Sequence, residues 1–445
     1  MSAYSENRRQ LVHIAMSGWA FLLRVLSWPQ AAALAFAALL FNYFVLPRAG
    51  GRAIFRPEDV ARGVPAGILF YPVAVLLLIL CFRSRLDIAA AAWAILAVGD
   101  GMATLAGRAI GGARLPWNGE KTWAGTISFF IAGASAGVLL CWWTQPALTS
   151  AVPTMFVVGA PVLAAAVAAL VESIPVRLDD NLSVPFAAAA TLWVLSLVDR
   201  AIVEVMLPGV AGRLLPAVLV NAAFAATAFA ERAVSWSGVI AGVLIGLAIY
   251  VGTGWQGWTM LFAAFASAAA TSKVGWQRKR ALGIAEEREG RRGAANALAN
   301  CIVAAVAALL AISSPHQAAA WRALVTALTA GASDTVASEI GKARGRRTFL
   351  VVGFRPVTPG TPGAISLEGT IAGVVSATLL ATLGAALGLV PANAIWVVVA
   401  GATAGAFVES ALGATLEPRG ILDNHLLNFI NTAVAVAVAL LISPV

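Results

Sequence analysis

Acidic and basic side chains suited to phosphate chemistry stand in short clusters between long apolar runs of this 445-residue chain. In the first half, Asp100 lies about two helical turns before Arg108, and Arg114 and Lys121 follow in a glycine-containing loop. Such a loop suits phosphate oxygens, because its backbone amides and its cations both favour anions. A carboxylate beside a hydrophobic run is costly, so Asp100 is a functional candidate by default.

A compact acidic segment follows in the same half. Glu172 stands near the end of an apolar run, and Asp179, Asp180 and Asn181 come within the next ten residues. These oxygen ligands suit magnesium, which keeps some positions for water and substrate phosphates. A basic loop together with an acidic segment is what a nucleoside triphosphate with magnesium requires, since cations neutralise the phosphates and a carboxylate orients a hydroxyl nucleophile.

The second half repeats these motifs in the same order, 234 to 244 residues later. The corresponding elements are Asp100 and Asp334, residues 121–126 and 365–370, Glu172 and Glu409, and Asp180–Asn181 and Asp423–Asn424. Four matches in register are unlikely by chance, so we predict two related halves that divide near residues 207–225. An even number of predicted spans separates Asp100 from Asp334, which makes the two halves parallel.

The second half also has features of its own. Lys342 and Arg355 precede a Gly/Pro-rich turn over residues 358–363, whose backbone amides could face phosphate. Asn296 and Asn300 are four residues apart and share one helical face. Polar residues in a spanning helix either bind a ligand or join helices.

These patterns predict three groups of site residues. The catalytic candidates are Asp100, Glu172, Asp180, Asp334, Glu409 and Asp423. The nucleotide- and phosphate-binding candidates are Arg108, Arg114, Lys121, Lys342, Arg355, Gly360, Gly363, Asn296 and Asn300. The magnesium-ligand candidates are Asp100, Asp179, Asp180, Asn181, Asp334, Asp423 and Asn424.

The composition excludes several classes of protein. Hydrophobic residues make up 60% of the chain, charged residues only 11%, and the mean hydropathy is +0.85. A soluble domain is about 45–50% apolar and about 25% charged, so a soluble enzyme, a disordered protein and a disulfide scaffold are excluded. The net charge of +9 lies in clusters between apolar runs, which indicates basic cytoplasmic loops rather than nucleic-acid binding.

The apolar runs predict an all-α polytopic membrane protein. A spanning helix needs about 20 mostly apolar residues, and we count about 15 such runs in two related parallel halves. A cytoplasmic N-terminus places the basic loops Arg108–Lys121, Lys273–Arg292 and Lys342–Arg355 inside. The predicted sites therefore face the cytoplasm, and we expect the inner (plasma) membrane of a bacterium, since Ala, Gly and Arg are abundant.

The first half resembles the membrane-bound dolichol and phytol kinases, a group that shares a broader signature with phosphatidate cytidylyltransferases. The resemblance covers about residues 6–205. Its motifs are Arg9-x-x-x-His13, Gly99-Asp100 with Gly107-Arg108, Glu120-Lys121-Thr122-Trp123-x-Gly125, and Glu172-Ser173 with Asp179-Asp180-Asn181-Leu-x-Val-Pro185. The last run is more typical of the prenol kinases than of the cytidylyltransferases.

The second half, about residues 225–445, is similar to the phytyl-phosphate kinase family, long catalogued as a membrane domain of unknown function. The matching motifs are Lys273-x-Gly275, Asn296-x-x-x-Asn300, Ser333-Asp334-Thr335-x-x-Ser338-Glu339-Ile-Gly341, Pro359-Gly-Thr-x-Gly363, Glu409-Ser410 and Asn424-x-x-x-Asn428. Arg355 stands where the family commonly has a lysine, which keeps the charge but not its geometry.

The two resemblances imply consecutive kinases on one chain, in residues 1–207 and 225–445. The first would phosphorylate an isoprenoid alcohol with CTP, the usual donor of the family, or another nucleoside triphosphate and Mg²⁺. The second would convert the monophosphate into the diphosphate. Two alternatives stay open: a CTP-dependent cytidylyltransferase that makes a CDP-lipid, and a transporter built from repeats, whose polar site would lie near the bilayer midplane.

Overall fold

A computed structural model describes residues 6–48, 66–150, 152–175, 178–284 and 293–443. Part of the predicted basic loop Lys273–Arg292, namely residues 285–292, lies outside the described residues. The chain divides into two compact units, Met1–Ser196 and Leu197–Val445. Each unit is almost entirely helical and carries one two-stranded antiparallel sheet.

The first unit contains eight α-helices among its described residues. They are α1 (Glu6–Met16), α2 (Trp28–Leu40), α3 (Ala66–Cys81), α4 (Leu86–Ala94), α5 (Gly101–Ile110), α6 (Trp123–Trp143), α7 (Thr154–Ser173) and α8 (Asp180–Ser196). A π-helical segment, Ile95–Asp100, joins α4 to α5, and another, Phe41–Val45, extends α2. Strands β1 (Arg114–Leu115) and β2 (Asn118–Thr122) form a hairpin between α5 and α6.

The second unit contains eight further α-helices among its described residues. They are α9 (Arg200–Ala230), α10 (Trp236–Lys273), α11 (Trp276–Ala281), α12 (Ala294–Leu310), α13 (Gln317–Arg344), α14 (Leu367–Ala386), α15 (Ile395–Thr415) and α16 (Asn424–Leu441). Strands β3 (Thr348–Leu350) and β4 (Ala364–Ser366) lie between α13 and α14. Helix α10 contains a non-helical residue, Gly254, with φ 71° and ψ −161°.

The all-α polytopic architecture is confirmed, but the count of about 15 spans is not. In the described residues, nine helical stretches are long and apolar enough to cross a membrane, and two shorter apolar helices accompany them. Part of the difference lies in residues 236–273, which count as one stretch although two helices meet there at the non-helical residue Gly254. The sequence predicts two spans in this region, over about residues 237–251 and 257–272. Helix α13 also falls outside the nine, because its last turns carry the charged residues of the second predicted site.

Both units build the same crossing between two helices, as the sequence repeat predicts. In the first unit, Thr122 caps α6 by accepting a hydrogen bond from the Gly125 amide, and Gly107 of α5 lies against both residues. In the second unit, Ser366 caps α14 by accepting from the Gly369 amide, and Gly341 of α13 lies against that pair. Small residues at the crossing let the helix backbones approach closely.

The core of each unit is rich in alanine and other small or aliphatic side chains. Helix α4 is buried along its whole length in the first unit. In the second, α13 is buried on most sides from Ala323 to Ser333. Close packing of small side chains holds helices together in lipid, where the hydrophobic effect contributes little to helix association. The charged ends of these helices are therefore fixed by a rigid helical frame.

Candidate functional site

The β1–β2 hairpin of the first unit brings a lysine onto two carboxylates. Lys121 Nζ donates a hydrogen bond to Glu172 Oε1 at the end of α7, and it lies 3.5 Å from Asp180 Oδ2 at the start of α8. Glu172 is only 3% exposed, whereas the side chains of Lys121 and Asp180 are 30% and 41% exposed. The ammonium thus has a buried anchor and an open side that a phosphate could reach.

Burial and charge act in opposite directions in this group. Burial works to lower the pKa of Lys121, but the carboxylates of Glu172 and Asp180 outweigh it and raise that pKa above its usual value. Lys121 therefore carries its positive charge at neutral pH. Burial also raises the pKa of Asp180, against the opposing effect of Lys121. A carboxylate with a raised pKa is better matched to proton transfer near neutral pH than an ordinary aspartate.

Asp100 belongs to the same group although it is distant in sequence. It ends the π-helical segment before α5, and its Oδ2 lies 3.8 Å from Nε2 of His13 on α1. Its charge acts on Lys121, Glu172 and Asp180 alike. The structure therefore brings the first predicted motif and the acidic segment together, and it adds His13, which the sequence analysis did not select as a site residue.

The loop before α8 supplies oxygen atoms of the kind that magnesium prefers. Asp179 Oδ1 accepts hydrogen bonds from the backbone and side-chain nitrogens of Asn181, at 2.9 and 2.8 Å. In the part of the chain that is described, Asn181 Oδ1 and Glu172 Oε2 are buried without a hydrogen-bond partner. Hard oxygen donors left unsatisfied in this way fit a hard cation.

The protein side chains do not form a complete metal cage by themselves. Over the described ranges, no three His, Cys, Asp or Glu side chains are arranged so that they could hold a metal ion. Magnesium commonly binds through one or two carboxylates and takes its other ligands from water and substrate phosphates. The donor set is therefore compatible with a magnesium ion that arrives with a nucleotide.

The two arginines of this loop lie away from the carboxylates. Arg108 is exposed at the end of α5, and Arg114 is exposed at the start of β1. Arg114 Nη1 donates to the carbonyl of Gly119, which closes the hairpin. Lys121 is therefore the basic residue of the predicted loop that contacts the acidic segment.

The second unit encloses a polar cavity of about 250 Å³. Helices α13, α14 and α15 and the 358–363 turn form its walls. Six of the predicted site residues line it: Asp334, Lys342, Gly360, Gly363, Glu409 and Asn424. The packing of helices and loops thus brings together residues that are up to 90 positions apart in the sequence.

The Gly/Pro-rich turn closes one side of this cavity. Gly363 has φ +70° and lies so close to Ser410 and Ala414 of α15 that a side chain would strike their backbone. Only glycine combines this left-handed conformation with such a close approach. The turn is therefore held against α15 beside Glu409, as a phosphate-binding loop next to a carboxylate would be.

A buried ion pair supports Lys342. Glu339 is 2% exposed, and its Oε1 lies 3.0 Å from Nζ of Lys342. Its other oxygen lies 2.5 Å from Nζ of Lys279 on α11, which is 1% exposed. Sequence reasoning missed Lys279, because the run Trp-Gln-Arg-Lys-Arg-Ala over 276–281 has the composition of a solvated basic loop.

The cavity contains one more carboxylate than the sequence repeat predicts. Glu417 lines it together with Asp334 and Glu409, and the charges of Asp334 and Glu417 both act on Glu409. Glu417 has no counterpart among the repeated motifs, so no sequence pattern singled it out. Its position just after α15 is what directs it to the cavity.

Four predicted residues occupy other places. Asp423 accepts a hydrogen bond from the Leu426 amide at 2.8 Å and caps α16, whereas its neighbour Asn424 faces the polar cavity. Arg355 is exposed beside β3. Asn296 and Asn300 line a different cavity, which is mostly apolar.

Comparison with known proteins identifies the family. The family described as "Integral membrane protein DUF92" matches residues 219–436. An uncharacterized membrane protein of Synechocystis is 38% identical over 200 residues, which cover 44% of this chain and 78% of the relative. The chain belongs to the DUF92 family of integral membrane proteins. It is therefore a multi-pass membrane protein, in agreement with its nine membrane-spanning stretches among the described residues.

This DUF92 protein is also similar to two chloroplastic proteins of Arabidopsis thaliana. Protein VTE6 is 37% identical over 215 residues, covering 46% of this chain and 64% of the relative. Phytol kinase 1 is 33% identical over 196 residues, covering 40% of this chain and 63% of the relative. The chain thus spans less than two thirds of the length of either protein. No solved structure matches it significantly.

Proposed function

We propose that this protein is a membrane kinase that phosphorylates an isoprenoid alcohol in its first half and the resulting monophosphate in its second half. The observation that carries the proposal is the pairing of lysine and carboxylates in each unit: Lys121 beside Glu172 and Asp180, and Lys342 in a cavity with Asp334 and Glu409. The similarity to a protein named phytol kinase supports the choice of an isoprenoid alcohol.

In the first unit, the acceptor is a hydroxyl group. Its oxygen attacks the γ-phosphorus of the nucleotide, the bond to the β-phosphate oxygen breaks, and a nucleoside diphosphate leaves. The hydroxyl proton passes to a carboxylate. We assign this role to Asp180, because it is the accessible member of the group and its pKa is raised. Lys121 stabilises charge on the transferred phosphoryl group.

In the second unit, the acceptor is the monophosphate of the same lipid. One of its oxygens is already anionic, so no proton has to be removed before it attacks the γ-phosphorus. The obstacle is repulsion between two phosphate groups, and cations reduce it. Lys342 is held by Glu339 at the wall of the cavity, and we propose that it neutralises one of the two phosphates.

Magnesium would accompany the nucleotide in both units. In the first unit, Asp100, Asp179 and Asn181 are the proposed ligands, and in the second Asp334 and Asn424. The ion would neutralise phosphate charge. We further propose that CTP is the preferred donor and that both sites face the cytoplasm from the inner membrane, since nucleotide is available there.

The position of the label in the donor distinguishes a kinase from a cytidylyltransferase. Purified protein in detergent receives magnesium, CTP labelled either in the α- or in the γ-phosphate, and one acceptor: geranylgeraniol, phytol or the monophosphate of either alcohol. A kinase transfers only the γ-label to lipid and releases CDP. A cytidylyltransferase transfers the α-label, releases pyrophosphate and would refute the proposal, as would the absence of any labelled lipid with CTP, UTP and ATP.

A further inference from the structure

The second unit contains a second cavity, of about 120 Å³, whose walls are mainly apolar. Helices α9, α10, α12 and α13 all contribute to it. Its aromatic and aliphatic walls include Phe224, Val243, Trp258, Leu261, Phe262 and Phe265. Nothing in the proposed phosphate chemistry uses this cavity.

A reversal within α10 builds one of its walls. Gly238 and Ala268 both line the cavity, although 30 residues of straight helix would set them about 45 Å apart. The helix therefore folds back at Gly254, whose backbone is non-helical. Glycine permits the positive φ of 71° that this reversal needs, and both arms of α10 then face the same space.

The aromatic side chains form a connected wall. The ring of Phe224 on α9 makes edge-to-face contacts with Trp258, Phe262 and Phe265, at centroid distances of 5.8, 5.7 and 5.4 Å. The rings of Trp258 and Phe262 stack 5.8 Å apart. Such rings give a large, rigid apolar surface, which suits an unsaturated hydrocarbon chain.

The polar groups at this wall are largely engaged within the protein. Asn221 Nδ2 donates to the Ala217 carbonyl at 2.8 Å, and its Oδ1 accepts from Trp258 Nε1 at 3.2 Å. Asn300 Nδ2 donates to the Asn296 carbonyl at 2.9 Å. These amide groups therefore have partners without a ligand, which argues against a nucleobase as the occupant.

Helix α13 separates this cavity from the polar one. Gly331, Ala332 and Thr335 line the apolar cavity, whereas Asp334 and Ser338 line the polar cavity. The two sets alternate along the same two turns of the helix. An amphiphile with a phosphate head and an apolar tail needs two such sites within one molecular length.

We infer that the apolar cavity binds the isoprenoid chain of the prenyl monophosphate whose head group occupies the polar cavity. This inference rests on the proposed function, because it names the tail site of the same substrate. Asn296 and Asn300, predicted to bind phosphate, line this apolar cavity instead of the polar one. The cavity then selects for chain type, and the polar cavity carries out the transfer.

A substitution at Gly242 tests the inference without disturbing the fold. Gly242 lines the cavity, and a Cβ atom added there meets no atom within 4 Å. Gly242→Leu therefore adds apolar atoms at the cavity wall from an unobstructed Cβ position. Gly212→Leu is the matched control, because Gly212 is a helical, exposed glycine with equally open surroundings and does not line the cavity.

The measurement is equilibrium binding of labelled geranylgeranyl monophosphate to the full chain in detergent, without nucleotide, so that no turnover is required. We expect Gly242→Leu to weaken binding about tenfold, which corresponds to the loss of about two buried methylene groups. Gly212→Leu should bind as the wild type does. Binding of dimethylallyl monophosphate, whose chain is short, should be equal in all three proteins.

Three results would overturn the inference. The first is unchanged binding of geranylgeranyl monophosphate to Gly242→Leu, and the second is a variant that loses affinity for CTP instead of for the prenyl monophosphate. The third is a straight-chain alkyl phosphate that competes as well as geranylgeranyl monophosphate does. These results leave the proposed function standing if the wild type still transfers phosphate. Conversely, a wild type that binds the prenyl monophosphate through this cavity but transfers no phosphate would refute the proposed function alone.

Discussion

Lys279 Nζ lies 2.5 Å from Oε2 of Glu339, and both side chains are almost completely buried. The pair joins the short basic helix α11 to α13, whose residues Ser338 and Lys342 line the polar cavity of the second unit. Because Glu339 also contacts Lys342, one buried carboxylate links the stability of this region to the position of the lysine that we propose to bind phosphate.

Removal of Lys279 should therefore destabilise the protein strongly. Lys279→Met leaves the carboxylate of Glu339 without its buried partner, and the loss of one member of a buried ion pair costs about 3–5 kcal/mol of unfolding free energy. Arg280→Met, at the exposed neighbouring position, is the matched control and should change it by less than about 0.5 kcal/mol. Unfolding in detergent measures both, and equal stability of the two variants would contradict the role of the pair.

Loss of Lys121 should reduce prenol phosphorylation without abolishing lipid binding. Lys121→Met removes the cation that we propose to stabilise the transferred phosphoryl group, and the loss of such a group typically lowers kcat about 10²–10³-fold. Arg200→Met removes a cation from an exposed ion pair with Glu204 and should leave kcat unchanged. A Lys121→Met enzyme with wild-type kcat for the alcohol would exclude Lys121 from the reaction.

The pH dependence of the first step should report Asp180. Its pKa is raised by burial and lowered by Lys121, and only the ionised form can accept a proton. The rate constant kcat/KM for the alcohol should thus fall as the pH drops through this raised pKa. In Lys121→Met the opposing effect is lost, so the acidic limb should move to higher pH. An acidic limb that stays in place or moves to lower pH in this variant would rule out Asp180 as the base.

Substitution of Gly363 should damage the second step through sterics and not through backbone conformation alone. Gly363→Ala forces a methyl group against Ser410 and Ala414, whereas Gly388→Ala places one at a similar positive φ in open space. A positive φ costs a non-glycine residue about 1–2 kcal/mol, which both variants share. Gly363→Ala should in addition raise KM for the nucleotide in monophosphate turnover. Equal KM values in the two variants would show that the turn does not bind nucleotide.

The helices and the polar residues of the two sites were easier to predict from the sequence than the contacts that these residues make with distant segments. Apolar runs and the repeat were sufficient to indicate an all-helical membrane protein in which Lys121, Glu172 and Asp180 belong together. Local patterns carry such information, because a run of apolar residues and a helix end are properties of a short segment. Whether the first and second halves each act as a separate kinase stays a prediction.

Contacts between distant segments could not be predicted in the same way. The sequence around Lys279 is typical of a solvated basic loop, but in the structure this lysine is buried against Glu339. Glu417 lines the polar cavity, although no sequence motif surrounds it. Asp423 was predicted as a catalytic residue and ligand from its place in the repeat, yet its carboxylate caps α16, a role that aspartate commonly takes at helix starts. The break in α10 at Gly254, in contrast, falls between two apolar runs of the sequence, so a local pattern did indicate it.

The most direct test of the central claim separates the two steps by supplying each acceptor in turn. Asp100→Asn and Asp334→Asn receive γ-labelled CTP and magnesium with either the alcohol or the prenyl monophosphate. The control is Asp199→Asn, since Asp199 caps α9 by accepting a hydrogen bond from the Ala201 amide at 2.8 Å. We predict that Asp100→Asn fails with the alcohol but converts the monophosphate, that Asp334→Asn makes monophosphate and no diphosphate, and that Asp199→Asn completes both steps. If Asp100→Asn and Asp334→Asn lose the same step, or neither loses one, the two units do not catalyse consecutive reactions.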